Sequence, residues 1–200
     1  MNFNQISALD KMIFLYKFIR KPQSIGSVTP SSRFLADKMV DSASWPEINS
    51  IAELGAGTGV ITKAICQAAA PGTQILLFEK DSHLRKQLRT QYPQSHTYSE
   101  ARLLHSAVRQ HGLDHVDCII SGLPFANFPK QLRDEIVNQV VQSLKPGGLF
   151  IAFQYSLQMK KQLSGYFDIE MIRFVLLNVP PAFVYVCRKK HDAPPLPLEG

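Results

Sequence analysis

Three glycines and two acids carry the most legible chemistry in this 200-residue chain. Residues 51–62 read Ile-Ala-Glu-Leu-Gly-Ala-Gly-Thr-Gly-Val-Ile-Thr, which places Glu53 just before Gly55, Gly57 and Gly59. About 20 residues further on, the apolar run 74–78 ends at Glu79, the separation a nucleoside-binding βαβ unit requires. The glycines let the chain turn tightly from a strand into a helix and bring bare backbone against a ligand, while a carboxylate at 79 can accept both ribose hydroxyl hydrogen bonds. Glu53 separates the candidate ligands. A dinucleotide brings a pyrophosphate, which favours amide donors and disfavours a carboxylate beside the first glycine; S-adenosylmethionine brings an ammonium and a sulfonium, both cationic. The order Glu-x-Gly-x-Gly-x-Gly therefore points to S-adenosylmethionine.

In a doubly wound sheet the ligand lies over the carboxyl ends of the central strands. That rule nominates Glu100, next to Ala101, for the adenine amino group, and the segment Ser121-Gly-Leu-Pro-Phe-Ala-Asn-Phe128 for the acceptor. Proline after Leu123 stiffens an extended turn whose carbonyl oxygens can point at an amine, and Phe125 and Phe128 can lie against a substrate cation. Methyl transfer from a sulfonium to an amine is an in-line displacement in which alignment supplies much of the acceleration. The nucleophile is the free amine, so the carbonyl and hydroxyl acceptors near Ser121 are expected to hold and deprotonate an alkylammonium. No His or Asp stands out as a dedicated base.

The elements that must position these groups alternate from residue 51 onward. Strands are predicted at 50–54, 74–79, 95–99, 116–121 and 148–155, and helices at 60–70, 81–91, 101–110, 129–143 and 157–164. The turn Lys145-Pro-Gly-Gly148 introduces the fifth strand, and the apolar runs 168–177 and 182–188, joined by Asn178-Val-Pro-Pro181, read as a hairpin. Upstream, residues 2–21 form a predicted amphipathic, aromatic and basic helix stopped at Pro22. A second helix at 33–40 follows, with Thr29 or Ser31 as its cap and Pro30 in its first turn. The tail 191–200 carries three prolines and no periodicity and is expected to be disordered.

Composition sets the remaining bounds. A chain 45% hydrophobic and 19% charged suits one domain with a sizeable core. Cys66, Cys118 and Cys187 lie far apart in apolar runs, which predicts buried thiols in a reducing compartment and no metal site. There is no apolar stretch long enough to span a bilayer and no secretory cleavage signal, so a cytoplasmic or peripheral membrane location is expected. The net charge of +6 suggests an anionic partner.

With these residues placed, the chain resembles the bacterial phospholipid N-methyltransferases, relatives of the ribosomal RNA adenine dimethyltransferases. The matching blocks span nearly the whole chain: Gly-Ser-Val-Thr-Pro-Ser-Ser at 26–32, Glu-Leu-Gly-Ala-Gly-Thr-Gly-Val-Ile-Thr-Lys at 53–63, Ser-Gly-Leu-Pro-Phe at 121–125, Lys-Pro-Gly-Gly at 145–148 and Leu-Asn-Val-Pro-Pro-Ala at 177–182. The resemblance implies an α/β, Rossmann-like class I methyltransferase fold whose mostly parallel seven-stranded sheet ends in an antiparallel hairpin. It assigns S-adenosylmethionine to Ser27, Thr29, Glu53, Gly55, Ala56, Gly57, Gly59, Glu79, Lys80, Glu100, Ala101 and Ser121, and catalysis to Ser121, Leu123 and Phe125. It also implies a monomer that methylates phosphatidylethanolamine at an anionic membrane, on which the N-terminal helix docks through Lys17, Arg20 and Lys21. Ser99-Glu100-Ala101 departs from the family's usual Gly-Asp-Ala. Two other readings stand beside this one. RNA adenine methylation is disfavoured by Ser121 in place of the usual Asn and by the short chain after the last strand; the other is a membrane-associated S-adenosylmethionine-binding protein without transferase activity.

Overall fold

The computed structural model describes residues 32–191. The expectations on the interfacial helix with Lys17, Arg20 and Lys21, on Ser27 and Thr29, and on the tail beyond His191 fall outside the described residues.

The first described helix, α1 (Arg33–Val40), is capped by Ser32, whose hydroxyl accepts the Leu35 amide at 3.2 Å. The cap thus falls after the two positions expected from sequence, because Ser32 is the residue with extended backbone ahead of the first helical turn. The chain then alternates through β1 (Ser50–Leu54), α2 (Val60–Ala68), β2 (Gln74–Phe78), α3 (Ser82–Gln91), β3 (His96–Tyr98), α4 (Leu104–Gln110), β4 (Val116–Ser121), α5 (Lys130–Ser143), β5 (Leu144–Gln154), α6 (Lys160–Tyr166), β6 (Phe167–Val175) and β7 (Ala182–Lys189).

The seven strands form one sheet in the order β3-β2-β1-β4-β5-β7-β6. The pairs from β3 to β5 are parallel, and β7 inserts antiparallel between β5 and β6. This is the predicted Rossmann-like plan. All five residues of β1 are buried, as a central parallel strand covered on both faces requires. The period-2 alternation of side chains divides the core accordingly. Leu54, Phe78, Ile119 and Phe150 share one face with α4 and α5; Ile51, Leu77, Ile120 and Ile151 share the other with α1 and α2. Cys118 and Cys187 are buried and Cys66 is half-buried, all as free thiols.

Three boundaries differ from the sequence expectation by three residues or more. β5 starts at Leu144 instead of 148: Leu144 pairs with Val116 and Leu149 with Cys118, so the intervening Lys-Pro-Gly-Gly is a bulge within the strand, with Gly147 at φ +72°. Lys145 anchors that bulge by donating to Asp117 at 2.6 Å. The helix expected at 101–110 is a short 3-10 turn (Ala101–Leu103) followed by α4. The last helix begins at Lys160, three residues later than the expected 157.

Candidate active site

The glycine turn leaves β1 with Gly55, Gly57 and Gly59 at φ +77°, +54° and +83°, a region L side chains rarely occupy. Each glycine answers a different neighbour. A β-carbon on Gly55 would stand 2.9 Å from Leu123 Cδ2, and one on Gly59 would stand 3.1 Å from both Leu88 and Tyr92 on the α3 side. A β-carbon on Gly57 would meet nothing within 4 Å, so the middle glycine presents bare backbone to open space. The turn is tied to β2 by the Gly55 and Ala56 amides, which donate to the Phe78 carbonyl at 2.8 and 3.1 Å.

Glu79 follows β2 and closes the turn from the other side. Its Oε2 accepts the Gly57 amide at 2.8 Å and its Oε1 accepts the Asp81 amide at 2.8 Å. A carboxylate has about four acceptor sites, so both oxygens keep capacity for ribose hydroxyls while they fix the loop. Lys80 is exposed, and its carbonyl, with that of Glu79, accepts from Arg85 Nη1 at 3.0 and 2.8 Å. Arg85 thereby pins the backbone on which the acid stands.

Glu53 is fully buried, so its carboxylate is sealed beneath the turn rather than lying open to it. Thr62 of α2 donates to Oε2 at 2.6 Å, and Oε1 has no hydrogen-bond partner among the described residues. Burial, opposed by the Thr62 bond and assisted by the charge of Glu79, pushes its pKa up to about 7. An orphaned buried carboxylate oxygen is costly unless a donor or cation reaches it, which fits a cationic ligand in the turn above.

On the next strand end, Glu100 and Ala101 are half-buried. The Glu100 side chain does not cap the turn that follows and instead pairs with Arg102 at 3.5 Å. An acid at a helix start thus has no capping duty here and keeps a half-open carboxylate just beyond the carboxyl end of β3.

The strand-4 loop lies directly against the glycine turn. Gly122 donates to the Leu54 carbonyl at 2.8 Å, and a β-carbon on Gly122 would stand 3.1 Å from the Gly55 oxygen. Ser121 is fully buried, with its hydroxyl accepting the Leu123 amide at 3.2 Å. The hydroxyl expected to touch the acceptor amine thus shapes the turn in this structure. The expectation that Phe125 faces a substrate cation is corrected: its ring is buried edge-on against Phe128 and Phe150, each 6.2 Å away between centroids. Apolar rings on two sides make the core its lower-energy place. Phe128 is only half-buried.

One residue was missed by the sequence reading. Gln154, buried at the carboxyl end of β5, donates through Nε2 to the Leu123 carbonyl at 2.9 Å and accepts the Ala126 amide at Oε1, 3.3 Å away. It clamps both ends of the Leu-Pro-Phe segment. The signal available in the sequence was a lone amide closing an apolar strand at the end of the sheet where ligands bind.

The family model for the methyltransferase small domain matches residues 23–172, three quarters of the chain. The chain belongs to this family. It is also 32% identical to an ornithine lipid N-methyltransferase of Singulisphaera acidiphila, across 90% of this chain and 96% of that protein. Among solved structures it superposes on the N-methyltransferase NodS of Bradyrhizobium japonicum with a TM-score of 0.65 at 9% identity, covering 78% of this chain and 94% of NodS. It superposes on TrmN from Thermus thermophilus with a TM-score of 0.66 at 18% identity, covering 88% of this chain; the chain spans about half, 53%, of TrmN. These last two likenesses show the class I methyltransferase fold.

The protein is thus an S-adenosylmethionine-dependent N-methyltransferase, and the donors and acceptors described above fit that cofactor. When bound, the cofactor supplies an electrophilic methyl group on a sulfonium. Gly57, with its bare backbone, Glu79, with its remaining lone pairs, and the buried carboxylate of Glu53 are the residues that would hold and orient it. The close approach of Leu123 to Gly55 sets the strand-4 loop against the glycine turn.

Proposed function

We propose that this methyltransferase acts on the amine of a membrane phospholipid, with phosphatidylethanolamine as acceptor, at the surface of an anionic membrane. The observation that carries the reading is the match, over nearly the full length of both chains, to a relative named as a lipid N-methyltransferase. The site supports it: residues 121–128 of the strand-4 loop carry no charged side chain and include a half-buried Phe128, which suits a small alkylammonium more than a polyanion. Glu53, Gly55, Ala56, Gly57, Gly59, Glu79, Lys80, Glu100, Ala101 and Ser121 form the cofactor side of this proposal. Ser27 and Thr29 join them from the segment preceding α1, and the basic face with Lys17, Arg20 and Lys21 supplies electrostatic attachment, each charge contributing about 1 kcal/mol near an anionic surface. No helix among the described residues is long and apolar enough to cross a membrane.

The test is incubation of the purified protein with methyl-labelled S-adenosylmethionine and, separately, phosphatidylethanolamine vesicles, vesicles carrying ornithine lipid, and ribosomal RNA. Label is expected in the phosphatidylethanolamine fraction. Label in the ornithine lipid alone moves the acceptor to that head group; label in RNA establishes nucleic-acid methylation; label in none leaves a binding protein.

A further inference from the structure

Eight large apolar side chains remain exposed among the described residues, and apart from Leu103 and Met171 they share one region. Phe34, Leu157, Phe174, Leu176, Leu177 and Val179 gather at the carboxyl end of the sheet, the end that carries the glycine turn and the strand-4 loop. The register shows why. Ser121 pairs with Ala152, and two residues further on Gln154 pairs with Phe183, which in turn pairs with Phe174, so the β6–β7 turn stands beyond the carboxyl ends of both β4 and β5. Asn178 in that turn accepts the Ser32 amide at 3.0 Å, which brings the start of α1, and Phe34 with it, to the same rim. From β4 to β6 is three strand spacings, roughly 14 Å. Leu176, Leu177 and Val179 are 68%, 65% and 79% exposed, clustered apolar positions that a soluble hairpin tip does not need.

Around the ridge itself, apart from Glu79, Asp81 and Glu100 at the glycine-turn side of this end and from Asp37 and Asp134 further along their helices, the charges are mostly basic. Residues 32–36, 121–133, 155–167 and 171–191 contain no Asp or Glu, while Arg33, Lys160 and Lys161 are exposed and Arg173 is half-exposed. Lys160 and Lys161 occupy the first turn of α6, where the helix dipole disfavours cations, so helix stability does not explain them. An apolar ridge flanked by cations complements an anionic lipid surface, with the ridge below the head groups and the basic residues among them.

We propose that the β6–β7 turn, residues 176–181, is a bilayer-docking wedge that enters the acyl boundary beside the active site and so holds the strand-4 loop at head-group depth. This deepens the lipid-methylation reading and rests on it. It is separate from the basic segment 2–21, because its driving contacts are Leu176, Leu177 and Val179.

Depth-dependent fluorescence tests it on the full chain. In a Trp45→Phe background, which removes the single native tryptophan, the emission of Leu177→Trp is expected to shift to the blue and be quenched by brominated acyl chains in phosphatidylethanolamine/phosphatidylglycerol vesicles, and much less with phosphatidylcholine alone. Leu176→Asp with Leu177→Asp should lower vesicle binding at least about tenfold, the scale of burying one leucine, with cofactor affinity unchanged. An indole at position 177 that is unquenched by those vesicles, or shielded from aqueous quencher before lipid is added because residues 1–31 or a second copy covers it, overturns the wedge. Methyl transfer to detergent-dispersed phosphatidylethanolamine separates the two readings. Transfer without quenching removes the wedge alone; quenching without transfer to any lipid removes the substrate assignment and leaves the wedge standing.

Discussion

A β-carbon on Gly55 would stand 2.9 Å from Leu123 Cδ2, so the glycine turn and the strand-4 loop touch through a missing side chain. Gly55→Ala is expected to suffer mainly from a left-handed backbone costing about 1–2 kcal/mol, with a smaller second part from displacing the end of the Leu123 side chain. Adding Leu123→Ala should return the second part and not the first. Urea denaturation of the two single variants and the double variant gives the coupling directly, and additive losses would remove the contact from the explanation.

Glu79 holds Gly57 in place and is left with free lone pairs for a ribose. Glu79→Ala should weaken S-adenosylmethionine by about 1.5–3 kcal/mol, the range for a hydrogen bond to a charged group, or roughly tenfold to a hundredfold in affinity. Gly57→Val should lose affinity beyond its strain cost, because the space it fills is open in the protein and needed by the ligand. Calorimetric titration that finds either variant binding as tightly as the parent would contradict this placement.

The buried carboxylate of Glu53 makes stability depend on pH. Its folded pKa of about 7 lies above the ordinary value of 4.5, so the folded chain binds the extra proton. The associated stability, about 3 kcal/mol, is fully present below pH 4.5 and is lost as pH rises through about 7. Cofactor affinity should run the other way and improve about tenfold from pH 6 to pH 8 after correction for the cofactor's own amine, because the ionised form is the one that attracts a cation. Glu53→Gln should flatten both profiles in thermal melts and in binding; an unchanged pH slope would assign it to another group.

Gln154 and Phe125 should separate positioning from packing. Gln154→Leu leaves the Leu123 carbonyl and Ala126 amide without their partner, so turnover should fall about tenfold or more while cofactor affinity stays within about twofold. Phe125→Ala should cost about 3–5 kcal/mol of stability, as a buried ring does. Ser121→Ala should lower turnover more than cofactor affinity by loosening the Leu123 turn. Initial rates beside calorimetry distinguish the three, and a Gln154→Leu enzyme with parental turnover would release the loop from its clamp.

The glycine turn, Glu79 and the alternation of strands and helices were legible in the sequence because each is a local demand. Positive φ asks for glycine, a ribose asks for an acid one βα unit later, and a strand buried on both faces asks for a continuous apolar run. The hairpin was legible for the same reason, since two apolar runs joined by a short turn with no intervening helix pair antiparallel. What the tertiary structure alone decided depends on residues far apart in the chain. The Lys-Pro-Gly-Gly segment became a bulge inside β5 because β4 pairs on both sides of it. Phe125 went to the core because Phe128 and Phe150 were there to receive it. Gln154 acquired a role only when β5 came to lie beside the strand-4 loop, and Glu53 became a buried, half-satisfied acid only when α2 closed over β1 with Thr62 beneath it. Backbone conformation is a short-range property that residue types announce; burial and partnership are long-range properties that only packing assigns.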